Sequence, residues 1–178
     1  SSCESYVSSS GRGTERPVSV STIAMSDIVD PATRSRMMSG IRSTNTKPEL
    51  LIRRALHKRG LRYTLHSRKI PGKPDLAFTS RHAVVFVHGC FWHMHDCSLF
   101  KMPKTRQIFW QKKFEANILR DHVVSEQLTA GGWRTLVIWE CAFRGKSEAD
   151  VTSIIDQAEH WVRYGSENLT IRGAHASN

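Results

Sequence analysis

Apolar positions along the chain recur with two different periods, and the switches between them mark out the elements. Thr46-Lys47-Pro48-Glu49 is a capping-box opening with proline in the first turn. Leu51, Ile52, Ala55 and Leu56 then recur at helical spacing until Gly60 stops the helix. Residues 61–66 alternate as a strand does, Pro71-Gly72 turns the chain, and residues 75–79 read as the next strand. Residues 83–87 are a short, β-branched apolar run, hence a buried strand, and the tight Arg81-His82 connection predicts a hairpin with the strand before it. From Thr105 to about Ala130 the period is helical again. Phe114, Ile118 and Ser125 fall on one face, and Lys113, Asn117 and Asp121 form a polar i, i+4, i+8 stripe. Gly131-Gly132 ends that helix, and Arg134–Trp139 predicts a central apolar strand. Ser147-Glu148-Ala149-Asp150 is a second capping box. Val151, Ile154, Ile155, Ala158, Trp161 and Val162 define a last amphipathic helix that ends near Gly165. The order helix, three strands, helix, strand, helix implies an α/β fold, a mixed central sheet flanked by helices.

The ends carry no such period. Residues 1–24 are rich in Ser, Gly and Thr and read as a disordered leader or an upstream extension, with Met25-Ser26-Asp27 resembling a natural start. The folded domain is expected over residues 25–165, and residues 166–178 as a loose polar tail. Residues 30–42 are basic and carry Met37, Met38 and Ile41 as their apolar positions. Methionine beside arginine suits a DNA-contacting surface, and it equally suits core filling.

Composition narrows the partner. A chain of 178 residues with 39% hydrophobic content can bury one core. Lys and Arg number 26 against 16 acids, and the formal charge of +10 favours an anionic partner, nucleic acid before membrane. No apolar stretch approaches the ~18 residues of a membrane span, and the N-terminus lacks the apolar core of a secretory signal. Three of the four cysteines lie near histidines, which favours a metal site in a reducing cytosol over disulfides, and a cytoplasmic protein is expected, nucleoid-associated where its anionic partner is DNA.

The chemistry gathers behind the strand at 83–87. Residues 88–97 hold His88, Cys90, His93, His95 and Cys97 together with the adjacent aromatics Phe91 and Trp92. Cys90, His95 and Cys97 on one loop, with Cys141 after the next strand, suit a closed tetrahedral Cys3His zinc site of structural type; buried free cysteines are the competing reading. Asp75 reads either as a turn aspartate after Pro-Gly or as the acid of a hydrolytic metal site. His88 and His93 remain once zinc is satisfied. A histidine takes a proton from water near neutral pH when a carboxylate orients its other nitrogen, and Asp121 suits that role; structural hydrogen bonding is the alternative. Phe91 and Trp92 on a basic protein suggest base stacking or intercalation, whereas Trp110, four residues before Phe114, reads equally as core.

From about Asp30 to Gly145 the chain resembles the very short patch repair endonucleases, the Vsr-like mismatch nickases. The resemblance rests on Ala32-Thr33-Arg34-Ser35, Pro71-Gly72-Lys73-Pro74-Asp75, His88-Gly89-Cys90-Phe91-Trp92-His93, Phe100-Lys101-Met102-Pro103 and Trp139-Glu140-Cys141. It implies a restriction-endonuclease-like core and nicking of duplex DNA at T·G mismatches left by 5-methylcytosine deamination. By the same resemblance Asp75 would bind catalytic Mg2+ through its side chain and Val87 through its carbonyl, with Glu49 acting on the ion through water. Glu49 is also the capping-box acid, so both roles stay open. His93 would be the general base held by Asp121, and His88 would contact the scissile phosphate. Cys90, His95, Cys97 and Cys141 would hold the zinc. Phe91, Trp92 and Trp110 would wedge into the duplex, Met38 would enter from the other groove, and Lys113 and Asn117 match positions that read the mismatch region.

Restriction enzymes place an acid and a lysine on the strand after the first aspartate, and those places are held here by Val87 and Gly89. Met94 and Asp96 also thin a run that is richer in histidine among similar proteins. The resemblance further implies a monomer and a mismatch-repair matchmaker protein as partner. Two other functions stay open: a relaxed-specificity nuclease of restriction or defence, and a zinc-stabilised mismatch-binding protein without nuclease activity.

Overall fold

The computed structural model describes residues 44–173, so Met38, the basic segment 30–42, the leader and Cys3 lie outside the described residues. Helix α1 spans Lys47–Lys58, strand β1 Thr64–Leu65, β2 Leu76–Phe78 and β3 Ala83–His88. Helix α2 spans Gln107–Ala130, β4 Arg134–Trp139, α3 Glu148–Tyr164 and β5 Leu169–Ile171. The strands form one mixed five-stranded sheet in the order β1-β2-β3-β4-β5. β1, β2 and β3 pair antiparallel; β3 with β4 and β4 with β5 pair parallel, each across a helical connection. The expected β2–β3 hairpin forms, closed by a 3-10 turn at Thr79–Arg81 and a left-handed His82.

Alternation along the strands sorts side chains to two cores. Leu76, Phe78, Val85, Leu136 and Ile138 face one side, where Ile52 and Leu56 of α1 and Ile154, Ile155, Ala158, Trp161 and Val162 of α3 cover them. Ala77, Val84 and Phe86 face the other side, against Leu128 and Val124 of α2. With both faces covered, the middle strands have to be apolar throughout, which is why 83–86 and 134–139 stand out in the sequence. Gly72 has φ +74°, and a Cβ there would collide with Val124, so this glycine lets the loop carrying Asp75 lie against α2.

Both caps form at the expected positions. Ser147 and Asp150 make the full reciprocal capping box of α3. Thr46 accepts the Glu49 N–H at 3.4 Å, but the Glu49 side chain turns inward to other partners.

Two expectations are corrected. Leu169–Ile171, expected within a loose tail, is a strand paired to β4; three residues are too few for a periodic signal, and their order comes from the non-local partner. On α2, Ile118 is 42% exposed and Ser125 is exposed, whereas Phe114, Asn117 and Leu128 are buried. The inward face runs Phe114, Asn117, Asp121, Val124, Leu128, so two polar residues interrupt it where the helix passes the functional site.

Candidate active site and metal centre

The functional side chains gather where β3 and its parallel neighbour β4 end. His88 is the last residue of β3 and pairs in register with Trp139, the last residue of β4. Cys90 follows one strand and Cys141 the other. The sulfur and nitrogen donors of Cys90, His95, Cys97 and Cys141 all lie within 4.8 Å of one another. Cys141 Sγ stands 3.6 Å from His95 Nδ1, matching the roughly 3.6 Å edge of a tetrahedral zinc site with ordinary Zn–S and Zn–N lengths. Two backbone donors back the sulfurs: the Cys141 N–H donates to Cys90 Sγ and the Gly173 N–H to Cys141 Sγ, each at 3.3 Å. A Cβ on Gly173 would strike the Cys141 carbonyl, so the chain after β5 closes over this centre only as glycine. Burial pushes the Cys90 thiol well above its ordinary range, and a bound cation is what would favour its thiolate here. The donor set therefore fits a four-coordinate metal.

Between two of those ligands lies His93. Its Nδ1 is hydrogen-bonded to the carboxylate of Asp121, which α2 supplies from its interrupted inward face. The ring stacks on His88, with centroids 4.0 Å apart and planes within 2°. Trp139 stands edge-on to both His88 and His93 and stacks flat on His95 at 4.0 Å. This tryptophan bridges the two clusters; in the sequence it stands out as a strand end and as part of the Trp139-Glu140-Cys141 motif, with no side-chain role. Burial, and the nearby His93, hold the His88 pKa down to about 4, so His88 is a neutral imidazole at physiological pH.

The third cluster is Glu49, His66 and Asp75. Asp75 accepts the Val87 backbone N–H at 2.7 Å, which ties the acid to the end of β3. Burial pushes its carboxyl up to about 6; the Val87 N–H pulls back, Glu49 raises it further, and His66 and His93 lower it. Glu49 is 2% exposed, with Arg53 3.6 Å away and His66 Nε2 3.2 Å from its Oε1. That separation lacks hydrogen-bond geometry: Glu49 Oε1 and His66 Nε2 are both buried atoms without a hydrogen-bond partner. Polar atoms orphaned this way are costly, and a cation among these donors would satisfy them. His66 was missed in the sequence because nothing in its spacing links it to Glu49 or Asp75.

The aromatic positions share one cluster. Phe91 packs edge-to-face on Trp92, Trp110 and Phe114, with centroids 5.1–5.4 Å away. Phe91, Trp92 and Trp110 are half-buried. Asn117 is buried and its Nδ2 donates to the Trp92 carbonyl at 2.8 Å, so it holds the aromatic loop; Lys113 is exposed on the same helix.

A five-stranded mixed sheet with acids and imidazoles at its strand ends, beside a thiol-rich centre, has the make-up of a hydrolase acting with a metal. Comparison with known proteins makes the class an endonuclease. Residues 26–99 match the family model described as DNA mismatch endonuclease Vsr. The chain is 44% identical over 134 residues to Type II nicking enzyme V.XorIIP of Xanthomonas oryzae pv. oryzae, covering 74% of this chain and 98% of that protein. It is 37% identical over 153 residues to DNA mismatch endonuclease Vsr of Escherichia coli, covering 85% and 98%. Type II nicking enzyme V.NmeAIP of Neisseria meningitidis is 38% identical over 123 residues, covering 69% and 88%. The chain belongs to the Vsr family of DNA endonucleases. Among the described residues no helix is long and apolar enough to cross a membrane.

Proposed function

We propose that this endonuclease nicks one strand of duplex DNA at T·G mismatches, in a Mg2+-dependent reaction on a restriction-endonuclease-like core stapled by zinc. The observation that carries the reading is His93, fixed through Nδ1 by Asp121 and stacked on His88, beside a buried acid cluster built around Asp75. The family names of its relatives, a mismatch endonuclease and nicking enzymes, support single-strand cleavage at a mismatch.

Asp75 and the Val87 carbonyl would hold Mg2+, with Glu49 acting through water. Bound there, the ion would supply positive charge against the scissile phosphate and the charge that develops on it. Because the Asp121 carboxylate accepts from Nδ1, the His93 Nε2 is left with a lone pair, and this nitrogen takes the proton from the attacking water. His88, neutral and stacked on His93, offers the phosphate an N–H donor without adding a second positive charge beside the base. Cys90, His95, Cys97 and Cys141 would bind Zn2+ and fix the loop that presents the base. Phe91, Trp92 and Trp110 would press against the bases, where a mismatched pair costs less to distort than a paired one. Lys113 is free to meet DNA directly, while Asn117 acts through the Trp92 backbone. Met38 would complete the wedge from the opposite groove.

The family match beginning at residue 26 supports an endonuclease domain from about residue 25. A monomer suits an asymmetric mismatch, and a mismatch-repair matchmaker protein is the expected protein partner, in the cytoplasm on nucleoid DNA. The test is a nicking assay with Mg2+ on end-labelled T·G and T·A duplexes in several sequence contexts. A single nick beside the mismatched T is expected. Equal cutting of paired DNA would replace repair with restriction or defence, and an Asp75→Ala protein that nicks at the wild-type rate would overturn the metal assignment.

A further inference from the structure

Glu49, His66 and Asp75 come from α1, the end of β1 and the loop before β2, three elements that share no local sequence pattern. Each offers one donor atom, and all three donors lie within 4.8 Å of one another. The closest pair, Glu49 Oε1 and His66 Nε2, is 3.2 Å apart and yet makes no hydrogen bond. An octahedral ion with ligands about 2.1 Å away sets neighbouring donors roughly 3.0 Å apart, so this spacing suits two ligands of one cation better than a misaligned ion pair. His66 Nδ1 stands 3.9 Å from Asp75 Oδ1, which keeps the imidazole beside the second acid as well.

We propose that His66 is a further donor to the cation site of Asp75 and Glu49, supplying its Nε2 and biasing that site toward Mn2+ over Mg2+. The inference rests on the reading that Asp75 holds the catalytic cation. Magnesium takes oxygen ligands almost throughout, whereas imidazole is a better donor to later first-row ions, so one nitrogen among carboxylates shifts the preference. The Mg2+ reaction remains possible through the acids and water; what His66 changes is which ion is held more tightly.

The experiment uses the full zinc-loaded chain with Mn2+ as the probe. Binding is followed by the free-ion electron paramagnetic resonance signal, with Mg2+ as competitor. Coordination is read from nitrogen couplings in the electron spin-echo envelope. Wild-type protein is expected to show a directly coordinated imidazole. His66→Gln and His66→Asn should lose that coupling and roughly tenfold or more in Mn2+ affinity, with Mg2+ affinity changing much less. A wild-type spectrum without imidazole coupling overturns the proposal without recourse to any variant, and so does coupling that survives in both variants. Loss of Mn2+ binding in Asp75→Asn beside a failed His66 result leaves the Asp75 site standing and removes only His66. Undiminished Mn2+ binding in Asp75→Asn overturns both.

Discussion

Replacing Asp121 with asparagine probes the base most directly, because it keeps the shape of the site and changes only what His93 Nδ1 meets. The carboxylate does two things through that hydrogen bond. On the proposed reading it keeps the Nδ1 proton in place, so that Nε2 is the basic nitrogen, and it would stabilise the imidazolium formed as water is deprotonated. An asparagine amide can present its NH2 to Nδ1, which moves the ring proton to Nε2 and disarms the base; presented by its oxygen, it keeps the tautomer but loses the charge. General bases contribute about 10²–10⁴ in rate, and loss of an orienting carboxylate in a fully buried triad costs about 10⁴. Here His93 is 20% and Asp121 35% exposed, so solvent screens part of the effect. We therefore expect kcat to fall by about 10²–10³, roughly 2.7–4.1 kcal/mol of transition-state stabilisation. KM for the duplex should hold, since the contact matters only once charge develops. Single-turnover nicking of a T·G duplex measures this directly, with a thermal melt to establish that the variant is folded. The partners act as one unit, so His93→Ala with Asp121→Asn should lose little more than His93→Ala alone. A kcat within about threefold of wild type, or losses that multiply in the double variant, would refute the pairing as the basis of catalysis.

On the zinc reading, emptying the centre of Cys90, His95, Cys97 and Cys141 by chelation or by Cys141→Ser should lower Tm by roughly 10 °C or more, since each kcal/mol is worth about 2–4 °C at this size and a structural zinc contributes many. Nicking should fall with it and return when zinc is restored after chelation; a metal-free protein with unchanged melt and activity would refute the staple. Gly72→Ala places a Cβ at positive φ against Val124, and about 1–3 kcal/mol of strain should show in chemical denaturation, together with slower nicking as the Asp75 loop shifts from α2. Ser147→Ala removes the half of the α3 capping box that the hydroxyl accepts from the Asp150 N–H and leaves the residue-147 N–H on the Asp150 carboxylate, costing about 1 kcal/mol in a thermal or urea melt, and should leave nicking at the wild-type rate.

How well each part of this structure could be read in advance follows from how local its cause is. β3 and β4 are apolar on both faces because helices cover both, and an uninterrupted β-branched run needs no partner to be recognised. The convergence of Cys90, His95, Cys97 and Cys141 was legible because three of the four share one loop and the fourth follows the neighbouring strand. The face of α2 was not, since Asn117 and Asp121 occupy inward positions where periodicity expects apolar side chains. Their inward placement is set by what they hold, the Trp92 carbonyl and His93. Glu49 was ambiguous for a related reason. Its capping motif is real at Thr46, yet the acid itself turns to His66 and Arg53, a choice made by residues far along the chain. His66 and β5 were invisible for the same cause: each acquires its role only from a partner that the fold brings to it.

The two chemistries of the site are connected by one short stretch of backbone. Cys90 and His95 bracket Phe91, Trp92 and His93, so whatever fixes the two candidate ligands also fixes the proposed wedge and the proposed base between them. Two further ties act on the same segment: the His95 N–H donates to the Cys90 carbonyl at 3.0 Å, and Asn117 holds the Trp92 carbonyl. From β4, Trp139 stacks on His95 and sets its edge against His88 and His93, so the metal ligand and the base rest on one indole. A restriction-type lysine would stand at the Gly89 position, directly after β3; the proposed base His93 sits four residues further along the loop, a poorer support for geometry that must hold within about 0.5 Å. A metal held by the Cys3His cluster would compensate for that exchange by joining the ends of β3 and β4 through the loop. On the proposed zinc reading the main consequence of that centre would be catalytic positioning, and its loss should harm kcat at temperatures where the sheet itself remains folded.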